Sequence, residues 1–379
     1  MHGSFLLGAG LILGALALAG ALFLGLRQSV IPGFILLGLA SRGVSHDHEI
    51  VDVLATLGVV LLLFSMGLEF SLGALLRNRR SIVRDGMIDW AWCFPAGVAA
   101  GLLFGWGWAG ALIAGGAFYA TSSAIVAKAT IELRRAANPE TEAALGVLVF
   151  EDLFVAVLLA VLSGAVAKGG ASVGVVALGI GKAVLFFAVV VAAAHFGRPV
   201  LDRVFRVDSD DVFLLLAGAG MLLLSWAALA MGLSEAIGAF LAGLALAETR
   251  HRERAERLFA PLQGVFAAVF FFAFGLSLDP SAFGSVWPAA LALTVLGLAL
   301  KVGAGWTIGR RGGLPKRTSL ALGLTLTPRG EFSIVLAGVA ASAGLAGLNA
   351  AIGLMVLLLS LSGTVLLRFA PEVSRRAFP

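Results

Sequence analysis

The sequence is poor in charged residues and in cysteine. Only 13% of its 379 residues are Asp, Glu, Lys or Arg, while 60% are hydrophobic and the mean hydropathy is +1.01. A water-soluble domain of this length would need far more polar surface, so the composition excludes a soluble globular protein. The single cysteine, Cys93, lies in an apolar run, and one cysteine cannot form a disulfide framework within the chain.

Several sequence motifs are also missing. The sequence has no phosphate-binding loop, dinucleotide fingerprint or cluster of metal ligands, so we expect no ATP hydrolysis, no resident cofactor and no enzymatic activity. The first residues lack a basic region and a cleavage site, which favours a retained helix over 5–24 rather than a signal peptide. The net charge of +5 does not indicate nucleic acid, because the arginines lie in short clusters between apolar segments.

Long apolar runs dominate the sequence. A chain in lipid must form helices or a closed barrel, and barrel strands alternate apolar and polar residues. Residues 53–66 (VLATLGVVLLLFSM) do not alternate, so an all-α integral membrane protein is predicted. Thirteen segments are apolar enough to be transmembrane helices, of which the second and ninth are short: 5–24, 29–41, 50–70, 86–106, 108–128, 143–167, 171–196, 211–231, 234–248, 262–278, 285–309, 318–343 and 347–368.

The basic residues predict an orientation in the membrane. With the N-terminus outside, the cytoplasmic loops and the C-terminus hold 22 of the 27 Lys and Arg residues, and the opposite loops hold two. This asymmetry follows the positive-inside rule and predicts a multi-pass protein of the inner (plasma) membrane with a cytoplasmic C-terminus. The other three, Lys182, Lys301 and Arg329, fall within predicted helices.

Two short stretches recur along the chain. Residues 33–40 (GFILLGLA) match residues 238–245 (GAFLAGLA) at five of eight positions, and residues 64–71 resemble residues 272–279. The first pair belongs to the second and ninth predicted helices, and this odd offset of seven predicts that the copies cross the membrane in opposite directions. Two inverted-topology repeats, helices 1–6 and 8–13 joined by helix 7, are typical of secondary transporters, whose site lies near the midplane.

Two adjacent carboxylates, Glu151 and Asp152, lie in the middle of the sixth predicted helix. An ionisable residue at membrane depth indicates function. Consecutive side chains on a helix point about 100° apart, so the two carboxylates cannot share one role. Their mutual repulsion favours a proton on one of them near neutral pH, and such a group can hold either a proton or a monovalent cation. The alternative is a structural pair balanced by Lys or Arg.

Polar residues in two other predicted helices could join this pair. Lys301, in the eleventh, could pair with Glu151, compete with a transported cation, or extend to the membrane surface. Thr121, Ser122 and Ser123, in the fifth, have hydroxyls that could bond freed backbone groups, ligate a desolvated cation or bond to their own helix. Of these residues, Thr121 and Ser122 are the candidate ion ligands. These alternatives stay open for each hydroxyl.

A proline and a glycine interrupt the twelfth predicted helix. Pro328 removes a backbone donor and Gly330 loosens the chain in the stretch TLTPRGEF, so we expect a break there. Such a break is tolerated in a membrane only where the freed backbone groups find partners or line a cavity. Arg329 and Glu331 could neutralise each other or the ends of the facing helices.

Seven motifs along nearly the whole chain carry a resemblance to one family of transporters. They are PGF followed by LLGLA (32–40), FSMGLEF (64–70), TSSA (121–124), FED (150–152), GLSEAIGAFLAGLA (232–245), GL with Asp279 (275–279) and RGEF (329–332). Together they resemble the monovalent cation:proton antiporter-2 family, which comprises Kef-type and related sodium/proton exchangers.

The resemblance implies a homodimer in the lipid bilayer and a sodium/proton-antiporter-like fold. Scaffold helices 1–3 and 8–10 would hold an ion-carrying core of helices 4–6 and 11–13, whose movement gives elevator-type alternating access. Helices 5 and 12 would be broken and would cross beside the sixth. The corresponding ranges are 1–70 and 211–278 for the scaffold, 86–167 and 285–368 for the core, and 171–196 for the linking helix 7.

The resemblance also implies roles for individual residues. Asp152 matches the aspartate that carries the cation and the proton. Glu151 matches a position that is a second aspartate in electrogenic sodium exchangers and a glutamine in glutathione-gated potassium systems. Lys301 matches the lysine that pairs with that position. The Glu-Asp combination matches neither pattern, so the sequence leaves ion selectivity and stoichiometry open.

The function that the sequence favours is exchange of K⁺ for protons. The stretches FED and PRGEFS are most similar to bacterial potassium/proton antiporters with a separate soluble regulatory subunit, so we expect a cytoplasmic partner that binds nucleotide. Sodium/proton exchange by the same mechanism and a ligand-gated potassium efflux channel are the alternatives. The Glu-Asp pair argues against a further one, an organic-anion symporter.

Overall fold

The structure is a computed structural model, and it describes residues 2–26, 28–42, 48–69, 72–133, 135, 138–166, 173–231, 233 and 235–378. Helices with short connections make up this part of the chain, and no strand occurs in it. A helix pairs its backbone groups within one segment, as a chain in lipid requires. The described helices are α1 His2–Gly25, α2 Ile31–Ala40, α3 His48–Glu69, α4 Leu72–Leu103, α5 Gly107–Tyr119, α6 Ser123–Glu132, α7 Pro139–Val166, α8 Val173–Val204, α9 Asp210–Ala230, α10 Glu235–Ala247, α11 Arg252–Ser277, α12 Pro280–Arg311, α13 Lys316–Thr325, α14 Glu331–Ser342 and α15 Ala346–Ala377.

Eight described helices are long and apolar enough to cross a membrane, namely α1, α3, α4, α8, α9, α11, α12 and α15. Three shorter helices, α2, α10 and α14, are apolar as well. The predicted class, an all-α integral membrane protein, is confirmed.

Several helices extend beyond the apolar segments that the sequence marks. The predicted segment 86–106 belongs to α4, which already begins at Leu72, and the segment 262–278 belongs to α11, which begins at Arg252. Both extensions are rich in arginine, and that of α11 also contains glutamate; both residues are good helix formers although they are not apolar. Hydropathy therefore finds the membrane-embedded part of each helix and misses its polar end.

A tight turn joins α4 to α5. Gly105 and Gly107 have φ angles of 76° and 67°, a conformation that side chains with a Cβ rarely adopt. This turn lies at the boundary between the fourth and fifth predicted helices. The two glycines separate what would otherwise read as one long apolar run.

Two helical segments are interrupted. The chain leaves α5 at Ala120, whose ψ of 119° is extended, and enters α6 at Ser123. It leaves α13 after Thr325 and enters α14 at Glu331, where Pro328 cannot supply a helical N–H. The two interruptions touch, because the Ser122 N–H donates to the Pro328 carbonyl at 2.9 Å.

Gly330 is required where the interruptions meet. A Cβ at this position would lie 2.8 Å from the Cβ of Ser122, closer than side-chain carbons approach. The backbone of one interruption can therefore reach the other only because this residue has no side chain.

The chain divides into two compact units. One contains Met1–His46, Arg80–Leu153 and Phe271–Pro379, and the other contains Asp47–Arg79 and Phe154–Phe270. Every residue of the two interruptions, together with the central part of α7, belongs to the first unit.

Glycines allow close helix crossings inside each unit. In the first unit, a Cβ at Gly38 of α2 would overlap the Phe272 carbonyl of α11, and one at Gly275 of α11 would overlap the Ile35 carbonyl of α2. In the second unit, Gly67 of α3 and Gly243 of α10 meet the backbone of each other's helix in the same way. Small residues of this kind let membrane helices pack backbone to backbone.

Candidate ion site

The candidate site lies where α7 passes the two interruptions. Glu151 and Asp152 are in the middle of α7, and both side chains are buried, with 0% and 6% of their surface exposed. Because neighbouring positions on a helix point about 100° apart, the two carboxylates contact different partners. All of these partners belong to the first compact unit.

Glu151 is held by Thr121 and Lys301. The Thr121 backbone N–H donates to Oε2 at 2.5 Å, and the Thr121 hydroxyl lies 3.1 Å from Oε1. The Lys301 ammonium, from α12, donates to Oε1 at 2.9 Å. Thr121 lies two residues before the start of α6, close to a helix end where free N–H groups and the helix dipole favour a negative charge. Lys301 is fully buried, so it does not extend to the membrane surface.

Lys301 has a second carboxylate partner that sequence reasoning missed. Asp89 of α4 accepts from the ammonium at 2.7 Å and is itself fully buried. The ammonium also lies 4.8 Å above the ring of Tyr119. A signal for Asp89 was present, because it is an ionisable residue within the apolar run that follows Gly86.

Asp152 receives its hydroxyl contact from Ser123. The Ser123 Oγ lies 3.0 Å from Oδ1 and 2.8 Å from Oδ2 of Asp152. The two hydroxyls singled out from the sequence point elsewhere, Thr121 to Glu151 and Ser122 to Glu331. The TSSA stretch thus supplies three successive hydroxyls, and the third one faces the aspartate.

Ser122 and Glu331 connect the two interruptions through their side chains. The Ser122 hydroxyl donates to Oε2 of Glu331 at 2.8 Å and accepts from the Ile125 N–H at 3.3 Å. Glu331 is the first residue of α14, and it is 2% exposed. Its carboxylate therefore lies at a helix N-terminus, where the dipole stabilises a negative charge.

Arg329 binds the carbonyl ends of both interrupted segments. Its Nε donates to the Phe118 carbonyl near the end of α5 at 3.0 Å. Its Nη1 donates to the carbonyls of Leu326 and Thr327, just after α13, at 3.2 Å each. The guanidinium is fully buried, so these bonds satisfy acceptors that water does not reach.

The charges around the crossing match the four helix ends. Glu151 and Glu331 lie at the N-termini of α6 and α14, and Arg329 lies at the C-termini of α5 and α13. Each charge has the sign that the adjacent helix dipole stabilises. The structure thus brings together all seven residues singled out from the sequence, namely Thr121, Ser122, Glu151, Asp152, Lys301, Arg329 and Glu331.

The chain belongs to the sodium/hydrogen exchanger family. The family described as "Sodium/hydrogen exchanger, transmembrane" matches residues 11–370. The resemblance to cation:proton antiporters seen in the sequence motifs is thereby confirmed, and the protein belongs to a family of transporters.

Curated relatives include antiporters for different cations. The K(+)/H(+) antiporter subunit KhtU of Bacillus subtilis is 37% identical, over 99% of this chain and 95% of that protein. The ammonium/H(+) antiporter subunit AmhT of Alkalihalophilus pseudofirmus is 35% identical, over 98% of this chain and 95% of that protein.

A solved structure shares the fold. The sodium proton antiporter MjNhaP1 of Methanocaldococcus jannaschii superposes with a TM-score of 0.74, covering 99% of both chains at 16% sequence identity. Conservation of the backbone arrangement at this low identity shows that the fold is that of a sodium/proton antiporter.

Proposed function

We propose that this chain is a secondary active antiporter that exchanges K⁺ for protons by elevator-type alternating access. Membership of the sodium/hydrogen exchanger family establishes cation/proton exchange as the general activity. K⁺ is favoured because the potassium/proton antiporter subunit KhtU is 37% identical over 99% of the chain.

The observation that carries the proposal is the carboxylate pair beside the two touching interruptions. Glu151 is bound by Lys301 and by the Thr121 N–H, whereas Asp152 is bound by the hydroxyl of Ser123. Asp152 also retains a little accessible surface, while Glu151 retains none. We therefore assign alternate binding of the cation and the proton to Asp152, with Ser123 as a neutral second oxygen ligand.

Competition for Asp152 couples the two fluxes. A cation bound at this carboxylate excludes a proton, and a proton excludes the cation. The empty, charged site is costly to carry through an apolar barrier, so the core moves only when the site is occupied. Glu151, Lys301, Thr121 and Ser122 support the site, and Arg329 and Glu331 hold the crossing together.

We further propose that the two halves of the chain are inverted repeats. In the alignment of 33–40 with 238–245, Gly38 corresponds to Gly243, and in that of 64–71 with 272–279, Gly67 corresponds to Gly275. The crossing of Gly38 with Gly275 then corresponds to the crossing of Gly243 with Gly67. Such an exchange of partners is what a two-fold relation between the repeats would produce.

The larger assembly is part of the same proposal. A scaffold of residues 1–70 and 211–278 would form a homodimer, and a core of residues 86–167 and 285–368 would move against it, with helix 7 as the link. The names of KhtU and AmhT describe each as a subunit, which supports a further, soluble chain as a regulatory partner in the cytoplasm. The inner membrane, with the N-terminus outside, is the proposed location.

Sodium and ammonium are the alternative cations. The Na(+)/H(+)-K(+) antiporter GerN of Bacillus cereus is 30% identical over 91% of this chain, and AmhT is named for ammonium. Carboxylate and hydroxyl oxygens, such as those of Asp152 and Ser123, do not by themselves separate these ions. A potassium efflux channel is the other alternative, and it would conduct without obligatory movement of protons.

The test is cation-dependent dissipation of a proton gradient in proteoliposomes. The purified protein is reconstituted with a pH-sensitive dye, a gradient is imposed, and K⁺, Na⁺, Li⁺ or choline is added. We expect dissipation by K⁺ at lower concentration than by Na⁺, and none by choline. Ammonium is compared with protein-free vesicles, because ammonia itself crosses lipid. Potassium flux without proton movement would overturn the proposal in favour of a channel.

A further inference from the structure

Lys301 is shared by two carboxylates from different helices. Asp89 of α4 lies 2.7 Å from its ammonium, and Glu151 of α7 lies 2.9 Å from it. None of the three side chains has exposed surface. One buried positive charge therefore faces two buried acids, although a single carboxylate would be enough to neutralise the lysine.

The two acids differ in their other partners. Glu151 has the backbone N–H and the hydroxyl of Thr121 in addition to Lys301. Asp89 has the Cys93 thiol, a weak donor at 3.8 Å. Its strong hydrogen bond in the described part of the chain is the one from Lys301. Glu151 therefore has hydrogen-bond partners other than the lysine, whereas Asp89 depends on the lysine for its strong hydrogen bond.

We propose that Asp89 is the permanent counter-ion of Lys301, a positioning residue that releases Glu151 from holding the lysine. A buried ammonium that loses every carboxylate partner is strongly destabilising. With Asp89 in place, the Glu151 carboxylate can be shared with a cation at the neighbouring Asp152 while Lys301 stays paired. This inference rests on the proposed function, because the release of Glu151 matters only if a cation binds at Asp152.

The first test is a double-substitution cycle on thermal stability. Asp89→Asn leaves Glu151 to pair with Lys301, and Glu151→Gln leaves Asp89, so each single variant should lower the melting temperature by only about 3 °C. The double variant leaves the lysine without a carboxylate, and we expect a loss of roughly 10 °C, well beyond the sum of the two.

A third substitution separates charge pairing from general damage. Adding Lys301→Met to the double variant removes the unpaired ammonium and leaves a neutral cluster of similar volume, so most of the lost melting temperature should return. Asp85→Asn is the matched control, since Asp85 is a buried acid one turn earlier on α4 and pairs with Arg84 instead. Its effect should add to that of Glu151→Gln.

The second test concerns the cation. With Asp89→Asn, Glu151 becomes the sole carboxylate partner of Lys301 and is less available to a cation at Asp152. We expect the apparent KM for K⁺ to rise by about tenfold while the maximal rate changes little. A merely structural role would instead lower the amount of active protein and leave KM unchanged.

The outcomes are distinguishable from failure of the proposed function. The melting experiments need no transport, so they stand whichever cation is exchanged. Additive losses in the cycle, or no recovery on adding Lys301→Met, would overturn the role of Asp89. Absence of any cation-dependent proton flux in the natural protein would instead overturn the proposed function. An unchanged KM in Asp89→Asn would leave Asp89 a structural counter-ion and refute its link to the cation site.

Discussion

At the scale of single residues, Arg329 explains how an interrupted helix is tolerated. Its planar guanidinium reaches the carbonyls of Phe118, Leu326 and Thr327, which belong to the ends of two different segments. Each buried carbonyl left without a donor would cost about 1–3 kcal/mol. A lysine would offer a compact ammonium in place of a rigid fork with five donors, so it could not bind all three acceptors with the same geometry.

Asp152 is the residue on which the proposed exchange depends. Asp152→Asn keeps the shape and the hydrogen bond to Ser123 but removes the negative charge that a cation or proton needs. We expect it to abolish cation-dependent proton flux in proteoliposomes while the protein remains folded and thermally stable. Asp211→Asn, at an exposed aspartate in the first turn of α9, is the control and should exchange at the natural rate.

A variant with Asn at position 152 that exchanged normally would contradict this assignment. The carrying carboxylate would then be Glu151, its neighbour on α7. In that case, Glu151→Gln should abolish exchange in the same assay.

Some residues of the candidate site can be identified from the sequence, and others cannot. Glu151, Asp152, Lys301 and Arg329 are evident because charges are rare in apolar helices. Asp89 carries the same signal, but it lies near the polar beginning of its apolar segment, where a charged residue stands out less. The pairing of Ser123 with Asp152 depends on how a broken helix is turned relative to α7, and no local pattern encodes that angle.

At the scale of helices, apolar runs predict where the chain is embedded and not where helices end. The interruption at Pro328 and Gly330 is predictable, because proline and glycine have local backbone consequences. The interruption before Ser123 contains neither residue. Long-range contacts stabilise it, from Glu151 and from the other interruption, so no local residue pattern predicts the break. The expectation of a break in the fifth helix comes from the family resemblance.

The glycine crossings allow a prediction at this scale. Gly38→Ala places a methyl group against the Phe272 carbonyl, so the two helices must separate. We expect a loss of stability of about 1–3 kcal/mol, the typical cost of overpacking, measured by thermal unfolding of the purified protein in detergent. Gly67→Ala, at the other crossing, should behave alike.

A matched glycine distinguishes packing from helix propensity. Gly218 lies in the interior of α9, and a Cβ there would meet nothing within 4 Å. Gly218→Ala should therefore be neutral or stabilise the protein by up to about 1 kcal/mol, since alanine is the better helix former. Equal effects at positions 38 and 218 would refute the close crossing of α2 with α11.

At the scale of the whole chain, the proposed inverted repeats and the distribution of charge predict the same membrane topology. An odd offset between matching helices requires the two halves to run in opposite directions across the membrane. With that topology, the basic residues would lie almost entirely on one side, as the positive-inside rule predicts. A missed or additional span would scramble that asymmetry, so an experimental determination of sidedness tests both.

The helix α12 offers two positions for such a test. It has 32 residues, or about 48 Å at 1.5 Å per residue, enough to cross the hydrocarbon core. Ser281 and Arg311 lie near its two ends and are exposed.

We expect Arg311→Cys to react with a membrane-impermeant maleimide only from the cytoplasmic side of oriented vesicles, and Ser281→Cys only from the outside. The natural chain is the control, because Cys93 is its single cysteine and is buried. Labelling of Arg311→Cys from outside would invert the proposed orientation, and labelling of both positions from one side would remove α12 as a membrane span.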